Sequence, residues 1–136
     1  MQISEVAAPE TLSDALSFYK RFPKVIPSMG CTSLVLSENT EPASILSLQN
    51  IAELKSINKT DRYIELGSGV TLMKIAQLPH IPQLEPLRTA IETIGTFTVR
   101  NLASLGGNLF SNGSGTLFPV LALLDANCEE IGRAHV

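Results

Sequence analysis

The apolar residues of this chain fall in short periodic runs, several of them ended by a proline or glycine before a long element can form. That punctuation sets what the chain can fold into. Leu12, Ala15, Leu16 and Tyr19 recur at i, i+3, i+4 and i+7 after Pro9, the spacing of one helix face. Residues 24–26 read as a strand stub stopped by Pro27, and a small-residue turn follows over 28–32. Residues 45–48 read as a second strand and 51–54 as one helical turn. Residues 62–66 alternate and end at Gly67-Ser68-Gly69. Thr71 is placed to cap a short helix bearing Leu72, Ile75 and Ala76, which Pro79 and Pro82 break. Leu87, Ala90, Ile91 and Ile94 form the cleanest helical stripe, closed by Gly95. Residues 116–124 read as a largely buried helix, with Thr116 as N-cap and Pro119 in the first turn. The pattern predicts an α+β fold: an α/β unit over 1–55, then an α+β unit over 56–130.

Composition narrows the class. The 136 residues suit one globular domain, and 44% hydrophobic with 17% charged residues is enough to bury a core. A net charge of −3 and scattered Lys and Arg argue against a nucleic-acid or anionic-membrane surface. Cys31 and Cys128 form neither a disulfide framework nor a zinc ligand set, which points to a reducing compartment. The N-terminus has no basic and apolar leader pattern, and no apolar run approaches the roughly 20 residues of a membrane span. A cytoplasmic protein is expected.

Chemistry concentrates at two small-residue turns. Gly106-Gly107 follows Leu102 and Leu105 and precedes a small-residue loop over 111–116. Adjacent glycines can adopt positive φ and bring successive N–H groups close to an anion, with Asn108 as an added side-chain donor. The turn over 29–33 adds the hydroxyls of Thr32 and Ser33, so two turns could clasp the phosphates of one dinucleotide. A Gly-Gly pair is nonetheless more often a simple turn, and neither site has the glycine order of a Rossmann loop or a P-loop. Arg100 is the cation beside the second turn, able to pair with phosphate or to hold the loop in an ion pair. Cys31 reads as a small buried residue before a reactive thiol. His80 lies between prolines and the carboxylates are dispersed, so no catalytic residue and no metal ligand set is assigned.

At these residues a family resemblance emerges. RNLASLGGN, residues 100–108, resembles the RN-x-x-T-I-GGN signature of the FAD-binding medium subunit of molybdenum hydroxylases, the xanthine dehydrogenase and carbon monoxide dehydrogenase family. Residues 27–34 stand in the place of its A-G-G-T-D-L turn. The segments 44–57, 64–75 and 118–126 resemble its next conserved stretches, in order. The resemblance implies a two-subdomain, PCMH-like FAD-binding fold. A small α/β subdomain (1–55) would pack on a second subdomain with an antiparallel sheet (56–130, incomplete), and FAD would lie between them. Carried over by position, the cofactor-binding residues are Pro27, Ser28, Met29, Gly30, Cys31, Thr32, Ser33 and Leu34 in the first turn. Ser104, Leu105, Gly106, Gly107 and Asn108 form the second, with Ile94 and Thr116 beside the cofactor. The implied role is electron transfer from iron–sulfur clusters through FAD to NAD or another acceptor, alongside a molybdenum-cofactor subunit and an iron–sulfur subunit.

The sequence departs from the pattern at several points. Cys31 replaces the second glycine of the first turn, and Ala103 stands where glycine is common. The loop after the glycine pair is one residue shorter, and Thr116 takes the place of an aspartate that contacts the cofactor. These changes leave open a degenerate scaffold subunit that keeps the fold and partner contacts while binding flavin weakly or not at all. A stand-alone flavoenzyme is a third reading. The tail 131–136, IGRAHV, matches what a common sequencing adapter encodes, so native sequence is expected to stop near Glu130 within a longer protein.

Overall fold

A computed structural model describes residues 2–110 and 115–129. The stretch 111–114 and the tail 131–136 singled out above lie outside the described residues.

The first half is a small parallel sheet with its crossovers. It runs β1 (Gln2–Ala7), α1 (Leu12–Arg21), β2 (Ile26–Ser28), α2 (Thr32–Val35) and β3 (Pro42–Ser47), with strand order β1-β3-β2 and both pairings parallel. Thr11 caps α1, its Oγ1 accepting the Asp14 N–H at 3.1 Å. Ala15, Val25, Leu46 and Ile51 are buried here, with Leu12, Phe18, Leu48 and Leu54 packed against them. Phe18, not Tyr19, completes the helix stripe; Tyr19 is exposed, while Phe18 lies 4.9 Å from the Phe22 ring centroid. Pro27 does not stop β2 but sits inside it, opposite Leu46. An edge strand tolerates this, because alternate residues turn their N–H groups away from the partner. The strand β1 was not expected from its sequence.

The second half begins with a 3-10 turn, Ala52–Lys55, and an antiparallel hairpin of β4 (Ile57–Lys59) and β5 (Ile64–Leu66). Helices follow: α3 (Leu72–Ala76), α4 (Glu85–Glu92), α5 (Phe97–Leu102), α6 (Leu105–Phe110) and α7 (Phe118–Leu123). Thr71 caps α3 as expected, accepting the Lys74 N–H at 3.3 Å, and Gly95 takes a left-handed φ of 54° beyond α4. Val70, Leu72, Ile75, Leu87, Ile91, Leu105 and Leu117 make a second buried cluster that shares no residue with the first. Among the described residues no helix is long and apolar enough to cross a membrane.

Two expectations are corrected. Helix α7 is not largely buried: Leu117, Val120, Leu121 and Leu124 face the core, while Phe118 and Leu123 are exposed. Nor does Thr116 cap it, since Leu117 holds the N-cap position without a side-chain bond. Residues 97–102 form a helix that the Thr96 hydroxyl starts by accepting the Val99 N–H at 3.3 Å.

Ile91 is fully buried at the centre of the second cluster. Ile91→Ala is expected to destabilise the fold by about 3 kcal/mol, read as a lower urea midpoint at unchanged m-value. A loss under about 1 kcal/mol would show that the second cluster is not a packed core.

Candidate functional site

The carboxyl ends of parallel strands are where an open α/β sheet leaves room for a ligand. Here Met29 and Gly30 leave β2, and Gln49 and Asn50 follow β3, on the same side of the sheet. Opposite them runs the strip 67–72, fixed by backbone bonds on both of its sides. Gly67 N–H donates to Ser56 O at 2.8 Å and Gly69 N–H to Leu54 O at 2.7 Å. On the other side Leu72 N–H reaches Ala103 O at 2.9 Å, while Leu105 and Gly106 donate to Val70 O and Ser68 O at 2.9 and 2.8 Å. Thr71 and Ser104 form an isolated antiparallel bridge there. The result is a cleft of about 290 Å³ lined by Met29, Gln49, Asn50, Lys55, Gly69, Thr71, Asn101 and Leu102.

The first turn abuts the end of α5, just ahead of the second turn, at one point. A Cβ on Gly30 would collide with the backbone carbonyl of Leu102, so only glycine lets these two segments touch. Met29 reaches across to Gly69, whose missing Cβ leaves room for its methyl group. Cys31 adopts a left-handed φ of 57° at the start of α2. Its thiol accepts the Ser28 hydroxyl at 3.2 Å, and Ser28 is itself buried. The backbone N–H groups of Gly30, Cys31, Thr32, Ser33 and Leu34 find no acceptor among the described residues. Successive amides around a left-handed residue form a concavity suited to an anion. Pro27 lies within β2, apart from this concavity, with its neighbour Ser28 tied to Leu48 N–H at 2.8 Å.

The glycine pair is not the left-handed loop that its sequence predicts. Gly106 and Gly107 lie inside α6, and neither has a positive φ. The amides of Leu105, Gly106, Gly107 and Asn108 are all committed within the chain, the last two to Ser104 Oγ and Ser104 O at 3.0 Å each. Buried Ser104 therefore caps the helix. Gly106 is required for close approach, since a Cβ would stand 2.9 Å from Ser68 Cβ and 3.0 Å from Ser68 O. A Cβ on Gly107 would meet only the Ser104 hydroxyl, so its outer face stays bare.

The remaining candidates are placed as follows. Asn108 turns its side chain onto the following segment: Nδ2 donates to Thr116 Oγ1 at 2.8 Å and Oδ1 accepts Leu117 N–H at 3.1 Å. It thus braces Thr116 rather than standing free as a donor. Ile94 packs against the second core, and its carbonyl accepts from Arg100. Arg100 has no carboxylate partner among the described residues. Its Nη1 donates to the carbonyls of Glu92, Ile94 and Gly95 at 3.2–3.4 Å, closing the C-terminal end of α4. Sequence reasoning missed Gln49, Asn50, Lys55, Thr71, Asn101 and Leu102. The rule that ligands gather at strand carboxyl ends would have found Gln49 and Asn50. Among the described residues no cluster of His, Cys, Asp or Glu is suited to a metal ion, and Cys31 and Cys128 are free.

Residues 2–134 match the family described as the FAD binding domain in molybdopterin dehydrogenase. The chain is 29% identical over 133 residues to the nicotinate dehydrogenase FAD-subunit of Eubacterium barkeri, covering 93% of this chain and 45% of that protein. It is 30% identical over 135 residues to aldehyde oxidase of Homo sapiens, covering 89% of this chain and 10% of that one. In fold it resembles quinoline 2-oxidoreductase from Pseudomonas putida 86 (TM-score 0.70, 23% identity, 80% of this chain and 39% of that one). It also resembles the Cu,Mo-CO dehydrogenase in its cyanide-inactivated form (TM-score 0.71, 19% identity, 78% and 39%). The chain thus spans less than half the length of each. It belongs to the family of FAD-binding domains of molybdopterin dehydrogenases.

A β-branched residue tolerates the left-handed region worst. Cys31→Val should cost about 1 kcal/mol of stability beyond wild type, whereas Cys31→Gly should stay within about 0.5 kcal/mol. Urea unfolding followed by circular dichroism measures both. A valine variant as stable as wild type would place Cys31 outside the left-handed region in solution.

Proposed function

We propose that this member of the family forms part of an FAD-carrying electron-transfer subunit. The observation that carries the proposal is the contact of Gly30 with the Leu102 carbonyl, beside five amides that find no acceptor among the described residues. The residues present fit a dinucleotide pyrophosphate: the backbone concavity over 30–34 supplies N–H donors, with the hydroxyls of Thr32 and Ser33 beside it. The bare face of Gly107 gives the cofactor close approach on the other side. Ser104, Asn108 and Thr116 hold that second wall in shape. In this reading FAD lies between units 1–55 and 56–130, each with its own buried cluster.

Flavin, when bound, supplies the redox chemistry, and the chain's own work is to bind and orient it and to shield it from water. In the holoenzyme, electrons would arrive from iron–sulfur clusters on a partner subunit and pass to NAD or another acceptor. Substrate oxidation would fall to a molybdenum-cofactor subunit. The name of one relative, an FAD-subunit, supports the flavin-carrying part of this assembly. The free thiols suit a cytoplasmic setting. A second reading, a scaffold with weakened flavin affinity, draws on the non-glycine residue in the left-handed position at Cys31 and on the hydroxyl in place of a carboxylate at Thr116.

The full-length subunit, purified and reconstituted with FAD, should show the flavin bands generic to the cofactor near roughly 370 and 450 nm. Gly30→Ala, which forces the first turn away from the end of α5, should lower FAD occupancy at least about tenfold. Wild type without flavin beside a normally assembled complex would instead favour the scaffold.

A further inference from the structure

The cleft has a single cationic side chain in its lining, Lys55, and this residue has no assigned role. Its backbone is held rigidly. Lys55 ends the 3-10 turn Ala52–Lys55, and the carbonyls on either side of it, those of Leu54 and Ser56, accept Gly69 and Gly67 N–H. Its side chain is exposed and has no carboxylate partner among the described residues. The nearest acid in sequence, Glu53, is turned toward α1, where its Oε1 accepts the Leu12 N–H at 3.3 Å. The other cation near the site, Arg100, is absent from the cleft lining and directs its Nη1 to three carbonyls at the end of α4.

A dinucleotide pyrophosphate carries two negative charges, and the chain as a whole carries −3. Amide dipoles alone would have to hold that anion against the field of the protein, unless a local cation offsets it. We propose that Lys55 is that cation: its ammonium supplies the counter-charge to the pyrophosphate of the cofactor bound at the cleft that Lys55 lines together with Met29 and Leu102. The inference rests on the FAD reading above and goes beyond it by giving the electrostatic part of binding to one residue. Being exposed, Lys55 acts through a screened interaction, so its contribution fades as salt rises.

The test is FAD binding by the full-length apo-subunit, followed by quenching of flavin fluorescence at low and high ionic strength. The variants are Lys55→Gln, Lys55→Glu and Lys55→Arg. Lys55→Gln should weaken Kd by roughly fivefold at low salt and flatten its salt dependence. Lys55→Glu should weaken it further, and Lys55→Arg should restore both. ADP, which carries the pyrophosphate without the flavin, should compete less well in Lys55→Gln by the same factor. Wild-type Kd and wild-type salt dependence in both Lys55→Gln and Lys55→Glu would overturn this inference alone. A wild-type subunit that takes up no FAD would overturn it together with the reading on which it rests.

Discussion

The strip 67–72 holds the molecule together. It is hydrogen-bonded through its backbone on both sides, to 54–56 by two bonds and to 103–106 by three. Such bonds require close approach on each side, and that accounts for the glycines. At Gly67 and Gly69 a Cβ would press on the Leu54 carbonyl, and at Gly106 on Ser68. Side chains with a Cβ would push the three segments apart and open the cleft. Because the strip leads directly into Thr71 and α3, the same bonds that shape the cleft also position the second core, whose first buried residues are Val70 and Leu72.

The two small-residue turns look alike in sequence and differ in physical state. Amides 105–108 are satisfied internally and belong to a helix, so the second turn is a finished piece of structure that offers a ligand a smooth surface. Amides 30–34 find no such partners among the described residues, and the first turn is the half able to donate. A motif containing Gly-Gly-Asn thus does its structural work through Ser104 and Asn108, which cap and brace. The donor set passes to residues whose sequence shows little more than small side chains.

Much of the fold was legible where one stripe of apolar residues faced one core. Helices α1, α3 and α4 have such stripes, and Thr71 and Gly95 mark their ends as the residue chemistry requires. Legibility failed where the pattern had no contrast. The segment 116–124 is apolar all round, so the stripe Leu117, Val120, Leu121 and Leu124 could not be separated from exposed Phe118 and Leu123. Strand β1 exposes most of both faces and carries no alternation to read. Of the candidate site, the family resemblance pointed to the two turns. It could not foresee that Arg100 would close a helix end, or that residues as distant in sequence as Asn50, Lys55 and Asn101 would share one cleft. Those outcomes depend on which backbones meet, and single-sequence spacing carries no record of that.

Pro27 has one more consequence. The two outer strands of the small sheet, β1 and β2, each present unpaired backbone to solvent. On β2 the unpaired side includes a residue with no hydrogen to give, within a strand of only three residues, so an incoming chain finds poor footing there. On β1, six residues long and with Ile3 and Val6 exposed, the obstacle is of another kind: the register with β3 slips between Ile3 and Glu5, leaving Ser4 as an extra residue. A bulge of this sort twists an edge away from an incoming chain. Each edge of the small sheet therefore carries its own guard against intermolecular pairing, a missing hydrogen on one side and a broken register on the other.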